Sequence, residues 1–338
     1  MGAPALEAPV TDAPRRDLVV VGGSAGGLRA LQALVHALPE DFPAVVLVAL
    51  HRAPRGPSRM ADLVGSAGPL PARDAVDGDE LVPGRILVAP ADHHLMVDGA
   101  VLRVVRGNRE NRSRPAVDPL FRSAAVSYAS RVVAIILSGM LDDGTLGMAA
   151  VKRCGGLTLV QDPEDAEHPG MPVSVLSHME PDHVTAVDAM PSLLVELVRK
   201  HAPPAPEVPR ELRLEVRAAL DGSIGPDPQS GEGSFHGACP DCGGPPQSNR
   251  EGGVRKYRGH VGHVFSDSAL LAGQDEAIER ALWVALHTLE ERARTLESIA
   301  NTDWRAGREQ AASANVERAA ESRDHAERIR QLLTRDGA

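Results

Sequence analysis

Val19-Val20-Val21-Gly22-Gly23-Ser24-Ala25-Gly26-Gly27 is the stretch on which the fold turns. Three valines in a row read as a strand covered on both faces. The strand runs into a glycine turn, and an apolar-periodic segment follows as a helix. Gly22, Ser24 and Gly26 satisfy G-x-S-x-G, the sharp strand-to-helix turn that exposes a serine hydroxyl. The open helix end behind it offers free N–H groups to an oxyanion. The same turn suits a phosphate cradle or a plain tight turn, so it leaves three readings open. The dinucleotide fingerprint fails, because Ser24 stands where G-x-G-x-x-G needs its second glycine. The next strand ends at His51, where a ribose contact would need an acid. No G-x-x-x-x-G-K-[ST] occurs.

Outward from this stretch, apolar runs alternate with amphipathic segments. Residues 18–21, 44–50, 85–89, 132–137, 157–161 and 184–187 read as strands. Residues 28–38, 119–129, 145–153, 172–179 and 191–201 read as helices. Such alternation predicts an α/β fold with a doubly wound, mostly parallel sheet. Residues 95–97 and 101–105 around Asp98-Gly99 form a hairpin signal, expected at a sheet edge.

Sites in such sheets form beyond the carboxyl ends of the strands. Ser24 follows the first strand, His51 the second, and Asp142-Asp143 a later one. A hydroxyl, an imidazole and a carboxylate on one rim are the parts of a nucleophile, a base and an orienting acid. An imidazole, whose unperturbed pKa is about 6.5, can take a serine proton near neutral pH. Backbone N–H groups around Ala25 and Met140 are the candidate oxyanion donors. Acyl transfer through a seryl ester would follow, with no cofactor required.

The 338-residue chain has room for about two domains. With 43% hydrophobic and only 2% aromatic residues, its core must be aliphatic. A formal charge of −10 argues against nucleic acid as a partner. No apolar run approaches the roughly 18 residues of a membrane span. Three cysteines make no disulfide framework, so a reducing, cytoplasmic setting is expected. Residues 1–16 read as a disordered leader, 17–201 as the catalytic domain and 202–233 as linker carrying a short helical patch at 211–220.

Residues 234–266 form a separate small module. Cys239-Pro240-Asp241-Cys242 is followed by His260-Val261-Gly262-His263. Cys239, Cys242, His260 and His263 would suit a tetrahedral structural zinc. A redox Cys-x-x-Cys and a metal-free knuckle are the alternatives. Residues 267–335 read as a helical hairpin. Its first stripe is Leu270, Leu271, Ile278, Leu282, Leu286, Leu289, Leu296 and Ile299, and its second is Val316, Ile329, Leu332 and Leu333. A docking arm, or self-association through these helices, is the other use of such stripes.

The segment 17–201 resembles the catalytic domain of bacterial chemotaxis protein-glutamate methylesterases. The resemblance rests on Gly23-Ser24-Ala25-Gly26-Gly27, His51 with Pro54, Ala89-Pro90-Ala91-Asp92-His93-His94 and Pro115-Ala116-Val117-Asp118-Pro119-Leu120-Phe121. It continues through Leu137-Ser138-Gly139-Met140-Leu141-Asp142-Asp143-Gly144 and Gly170-Met171-Pro172. It implies hydrolysis of glutamate γ-methyl esters on methylated chemoreceptor helices, in some members with glutamine deamidation. It implies Ser24 as nucleophile, His51 as base, Asp143 as orienting acid and Met140 as an oxyanion residue, with Asp142 at a variable position. Only about sixteen residues precede the first strand, so the receiver domain usual in this family is not expected. The 234–266 stretch resembles an extension found on some methylesterase-like proteins, with Gly259 where they carry a cysteine. Two other functions compete: an idle scaffold acting through the knuckle and helices, and a nucleotide-binding regulator. Arg52, Arg55 and Arg59 read as a solvated loop or as a basic rim for an acidic receptor helix.

Overall fold

The computed structural model describes residues 14–54, 59–222, 238–251, 254–259 and 261–335. The chain divides into two compact units, Met1–Leu270 and Leu271–Ala338.

The strands are β1 (Leu18–Gly23), β2 (Val45–Leu50), β3 (Ala72–Asp74), β4 (Ile86–Val88), β5 (His94–Asp98) and β6 (Val101–Val105). They continue as β7 (Val132–Ile136), β8 (Leu157–Gln161), β9 (His183–Thr185), β10 (Pro246–Glu251), β11 (Val254–Gly259) and β12 (Val264–Ser266). The helices are α1 (Gly27–His36), α2 (Met60–Gly65), α3 (Val117–Tyr128), α4 (Thr145–Arg153) and α5 (Gly170–His178). They continue as α6 (Met190–Arg199), α7 (Arg210–Asp221), α8 (Asp267–Arg305) and α9 (Glu309–Arg335).

Seven strands form one parallel sheet in the order β3-β4-β2-β1-β7-β8-β9. β1, β2 and β7 are buried along their whole length, which is why they are unbroken aliphatic runs. The strand period of two divides them between two cores. Val19, Val21, Val46 and Val48 meet Leu31, Leu34 and Val35 of α1 and Leu194 and Val198 of α6. Leu18, Val20 and Leu47 meet Leu120 and Phe121 of α3 and Val151 of α4. Each fully buried aliphatic contributes about 1.5–3 kcal/mol relative to exposure. The chain leaves β1 toward β2 on one side and returns as β7 on the other. The carboxyl end of β1 is therefore the topological switch point, where such sheets hold their ligands.

The hairpin expected at a sheet edge is not there. β5 and β6 form a two-stranded sheet of their own, and an isolated bridge joins Val101 of β6 to Glu80. Leu95, Val97 and Leu102 are buried in the core that contains α3, and Ser123 Oγ accepts the Val97 N–H at 2.9 Å. The edges are the three-residue strands β3 and β9, and β3 is too short and polar to leave a strand pattern. The helical patch expected at 211–220 within the 202–233 stretch is α7. α7 buries Leu212 and Val216 in the same core as α3. Residues 14–16 of the supposed leader are ordered: Arg15 bridges to His201, and Arg16 Nη1 donates to the His201 carbonyl at 3.1 Å. The rest of that leader lies outside the described residues, as do 223–237.

β10, β11 and β12 make an antiparallel sheet. Cys239, Tyr257, Phe265, Ala269 and Leu270 close a small core on it.

In the second unit α8 and α9 run antiparallel. Ion pairs join Glu290 to Arg330 and Glu297 to Arg323, and Asn315 Nδ2 donates to Asp303 Oδ2 at 3.2 Å. The buried positions include Leu286, Ala293, Leu296 and Ala300 on one helix and Ala312, Ala319 and Ala326 on the other, with Leu286, Ala293 and Ala300 and the three alanines of α9 at heptad spacing. The seam differs from the expected stripe: Val316 and Leu332 are exposed. Alanines let the two backbones approach, so the larger side chains are left outside. No described helix is long and apolar enough to cross a membrane.

Candidate active site

Ser24 and His51 leave neighbouring parallel strands at one level. Gly23 of β1 is paired with Leu50 of β2, and the His51 N–H donates to the Gly23 carbonyl at 3.1 Å. The Ser24 turn is braced from the end of β7. Its N–H donates to Ser138 O at 2.9 Å, and Ser138 Oγ donates to Ala25 O at 2.8 Å. Ser138 Oγ also accepts the His168 N–H at 2.9 Å, and Gln161 Oε1 accepts the Ser138 N–H at 2.8 Å. Both glycines of G-x-S-x-G are needed on this geometry. A Cβ at Gly22 would lie 2.2 Å from a Val117 methyl. Gly26 sits at φ +73° and starts α1, and a Cβ there would lie 2.5 Å from Ser138 Oγ.

His51 reaches across to the other candidate strand end. Its Nε2 lies 2.6 Å from Asp143 Oδ2. Asp143 also accepts the Val117 N–H at 2.7 Å, the Asp118 N–H at 3.2 Å and Asn111 Nδ2 at 3.0 Å. Burial pushes the Asp143 carboxyl up, but the hydrogen bond and charge of His51, the Val117 N–H and the Asn111 amide outweigh it. Asp143 is therefore held below the usual carboxylate range. The adjacent Asp118 goes the other way: burial and then the charge of Asp143 push it well above that range. Two neighbouring carboxyls are thus driven apart, one kept ionised and one pushed toward neutrality. The buried His94 is lowered by desolvation. With Nε2 2.8 Å from the Asn108 carbonyl, its Nδ1 accepts the Ala116 N–H at 3.2 Å and steadies the start of α3.

Asp142 points away from His51. It accepts the Ser266 hydroxyl at 2.6 Å, and burial raises its pKa. Asn111 and Ser266 are the partners that sequence patterns missed. Asn111 sits in a polar loop without periodicity, and Ser266 is 155 residues away. Among the described residues no group accepts the N–H of Ala25 or of Met140. A Cβ on Gly139, next to Met140, would lie 3.0 Å from Ser24 Cβ, so the Met140 loop lies against the serine. Arg52 is not a free rim charge: its guanidinium donates to the Ala89 carbonyl and lies 3.6 Å from Asp74. Arg55 is outside the described residues, and Arg59 is exposed.

The second candidate centre gathers three of its four expected ligands. Donor atoms of Cys239, Cys242 and His263 lie within 4.8 Å of one another. Cys239 Sγ is 3.5 Å from His263 Nδ1. Two such ligands on a tetrahedral zinc, with Zn–S and Zn–N of about 2.3 and 2.1 Å, would be about 3.6 Å apart. His260 lies outside the described residues.

Residues 19–194 match the CheB methylesterase family. That is more than half of the chain. The chain belongs to the CheB methylesterase family. A protein-glutamate methylesterase/protein-glutamine glutaminase 6 of Anaeromyxobacter dehalogenans is 41% identical over 206 residues, covering 59% of this chain and 58% of that protein. The Thermotoga maritima protein-glutamate methylesterase/protein-glutamine glutaminase is 37% identical over 185 residues, 54% of each chain. This chain thus spans little more than half the length of the curated relatives it matches. The crystal structure of the Thermotoga maritima CheB methylesterase catalytic domain superposes with a TM-score of 0.53 at 36% identity. It covers 98% of that domain and 54% of this chain. The CheB match ends before α7, so the β10–β12 module and α8–α9 lie outside it.

Proposed function

We propose that this CheB-family chain is a serine hydrolase that cleaves glutamate γ-methyl esters on chemoreceptor-type helices, with glutamine deamidation as a related activity. The observation that carries the reading is the 2.6 Å contact between His51 and Asp143, next to the serine turn of β1. An ionised Asp143 accepts a hydrogen bond from the Nε2–H of His51, which leaves Nδ1 with its lone pair. Nδ1 removes the Ser24 proton as Oγ attacks the ester carbonyl carbon. The free N–H groups of Ala25 and Met140 are the donors for the oxyanion. The imidazolium then protonates methoxide, methanol departs, and a glutamyl ester of Ser24 remains. Water, deprotonated by the same nitrogen, releases the glutamate carboxylate and restores Ser24. Deamidation follows the same path with ammonia as leaving group.

A fluorophosphonate probe tests the site. Wild-type protein should label, and Ser24→Ala and His51→Ala should not. Methanol release from methylated receptor fragments tests the substrate, with Ser24→Ala beside wild type. Labelling that persists in His51→Ala removes the base. Labelling without methanol release leaves a serine hydrolase of another ester.

The second part of the reading is structural. Cys239, Cys242 and His263 hold a zinc ion that ties the start of the module to the β11–β12 turn. Metal analysis of the purified full chain should give close to one equivalent, lost in Cys239→Ser. Less than half an equivalent in wild type overturns it.

A further inference from the structure

We infer that β12 of the C-terminal module is a working part of the catalytic centre: through Asn111 it holds the Asp143 carboxylate in line with His51. The inference rests on the hydrolase reading and adds to it a control point in a segment that the CheB match does not cover.

Three polar groups of Asn111 are engaged, and two of them face β12. Its backbone N–H donates to Val264 O at 2.8 Å. Its Oδ1 accepts the Ser266 N–H at 3.1 Å. Its Nδ2 donates to Asp143 Oδ1 and to Asp118 Oδ2, each at 3.0 Å. Only one orientation of the amide works, because the reverse would set oxygen against the Asp143 carboxylate and an NH2 against the Ser266 N–H. The Asp143 carboxylate is thus gripped from both ends. His51 and Val117 hold Oδ2, and Asn111 and Asp118 hold Oδ1.

A second contact runs beside the first. Ser266 Oγ donates to Asp142 Oδ1 at 2.6 Å and accepts the Ala269 N–H, which caps α8. Asp142 precedes Asp143 in the chain, so both acids of the loop are tied to one strand. Alternation along β12 explains how. Ser266 faces Asn111 and Asp142, while Phe265 points into the module's own core with Cys239 and Tyr257. The ligand group sits on the same turn: the Gly259 N–H donates to the His263 carbonyl at 2.7 Å. Folding of the knuckle and the aim of Asp143 are therefore joined through Asn111, which is 5% exposed. Asn111 and Ser266 are positioning residues, since neither touches the reacting atoms.

Asn111→Gly removes the side chain and keeps a residue that accepts the φ of 47° found there. In the full chain it should lower the fluorophosphonate labelling rate at least tenfold, with an unchanged KM for ester. The downfield proton resonance of the His51–Asp143 hydrogen bond should shift or broaden. Ser266→Ala, which leaves the Asn111 contacts in place, should give a smaller loss in the same direction. Cys239→Ser should slow labelling in the wild-type background and add little to Asn111→Gly, because coupled sites are non-additive. Wild-type rates and an unmoved resonance in Asn111→Gly overturn the inference, as do fully additive effects with Cys239→Ser. If wild type hydrolyses no ester yet the resonance moves in both variants, the hydrolase reading falls and the positioning role stands.

Discussion

The Val117 N–H, at the first residue of α3, donates to Asp143 Oδ2 at 2.7 Å. Asp143 thus occupies the N-terminal end of a helix to which it does not belong, where a negative charge is favoured. Asp143→Asn would lose that charge and offer His51 a neutral amide. The labelling and ester rates should fall by about 10⁴, the loss seen when a triad aspartate is changed to asparagine. Asp142→Asn keeps an oxygen for the Ser266 hydroxyl and should retain most of the rate. Equal losses in the two variants would refute this division of labour.

Gly26→Ala places a side chain at φ +73° and pushes its Cβ to 2.5 Å from Ser138 Oγ. The left-handed backbone alone costs about 1–2 kcal/mol. The hydroxyl that braces Ala25 must also move. Thermal unfolding should show a lower midpoint, and labelling of Ser24 should slow by more than the stability loss explains. An unchanged midpoint would mean that the turn has slack the geometry does not suggest.

Glu215 of α7 pairs with three cations: Lys256, Arg258 at 3.2 Å and Arg122 at 3.5 Å. Burial raises its carboxyl, but Lys256, Arg122 and Arg258 together hold it far below the ordinary glutamate value. A folded pKa below the unfolded one gives stability that is complete above about pH 4.3 and drains away as pH falls toward the folded value. Glu215→Gln leaves Arg122 and Lys256 as buried charges with less compensation. It should cost about 3–5 kcal/mol at pH 7, read from urea midpoints. Its stability should also fall less steeply than wild type below pH 4.

Gly259 offers a gain-of-function test. A Cβ there would lie 3.5 Å from Cys239 Sγ and 3.6 Å from His263 Cβ, ordinary contact distances. Gly259→Cys would bring a further thiolate to the Cys239, Cys242 and His263 group. Metal should be retained against a chelator at concentrations that strip wild type. Equal loss from both would argue that these residues do not surround an ion.

The sheet and the three strand ends were legible because buried parallel strands must be continuous aliphatic runs, as at residues 132–137, and their ends must carry the chemistry. The hairpin's location was not. The alternation of Leu95 and Val97 is the same whether the strand extends a sheet or lies on a helix. α7 was legible as a helical patch at 211–220, but its place in the core was not, because Leu212, Val216 and Ala218 make too thin a stripe among its charges. Asn111 left no trace because its role is set by Ser266, which only folding brings near. In α9 the seam was read from the large residues, whereas the alanines carry it.

Gly23 and Leu50 are the last partners of the β1–β2 ladder, and Ser24 and His51 come next. Side chains along a strand change face at every residue. One residue inserted within β2 would therefore turn the imidazole to the opposite side of the sheet. Length changes in this chain are therefore tolerable only in the connections, such as the turn before Val45 or the segment ahead of α2. Between Leu18 and Ser24, and between Val45 and His51, the register tolerates the exchange of one aliphatic for another but not the gain or loss of a single position.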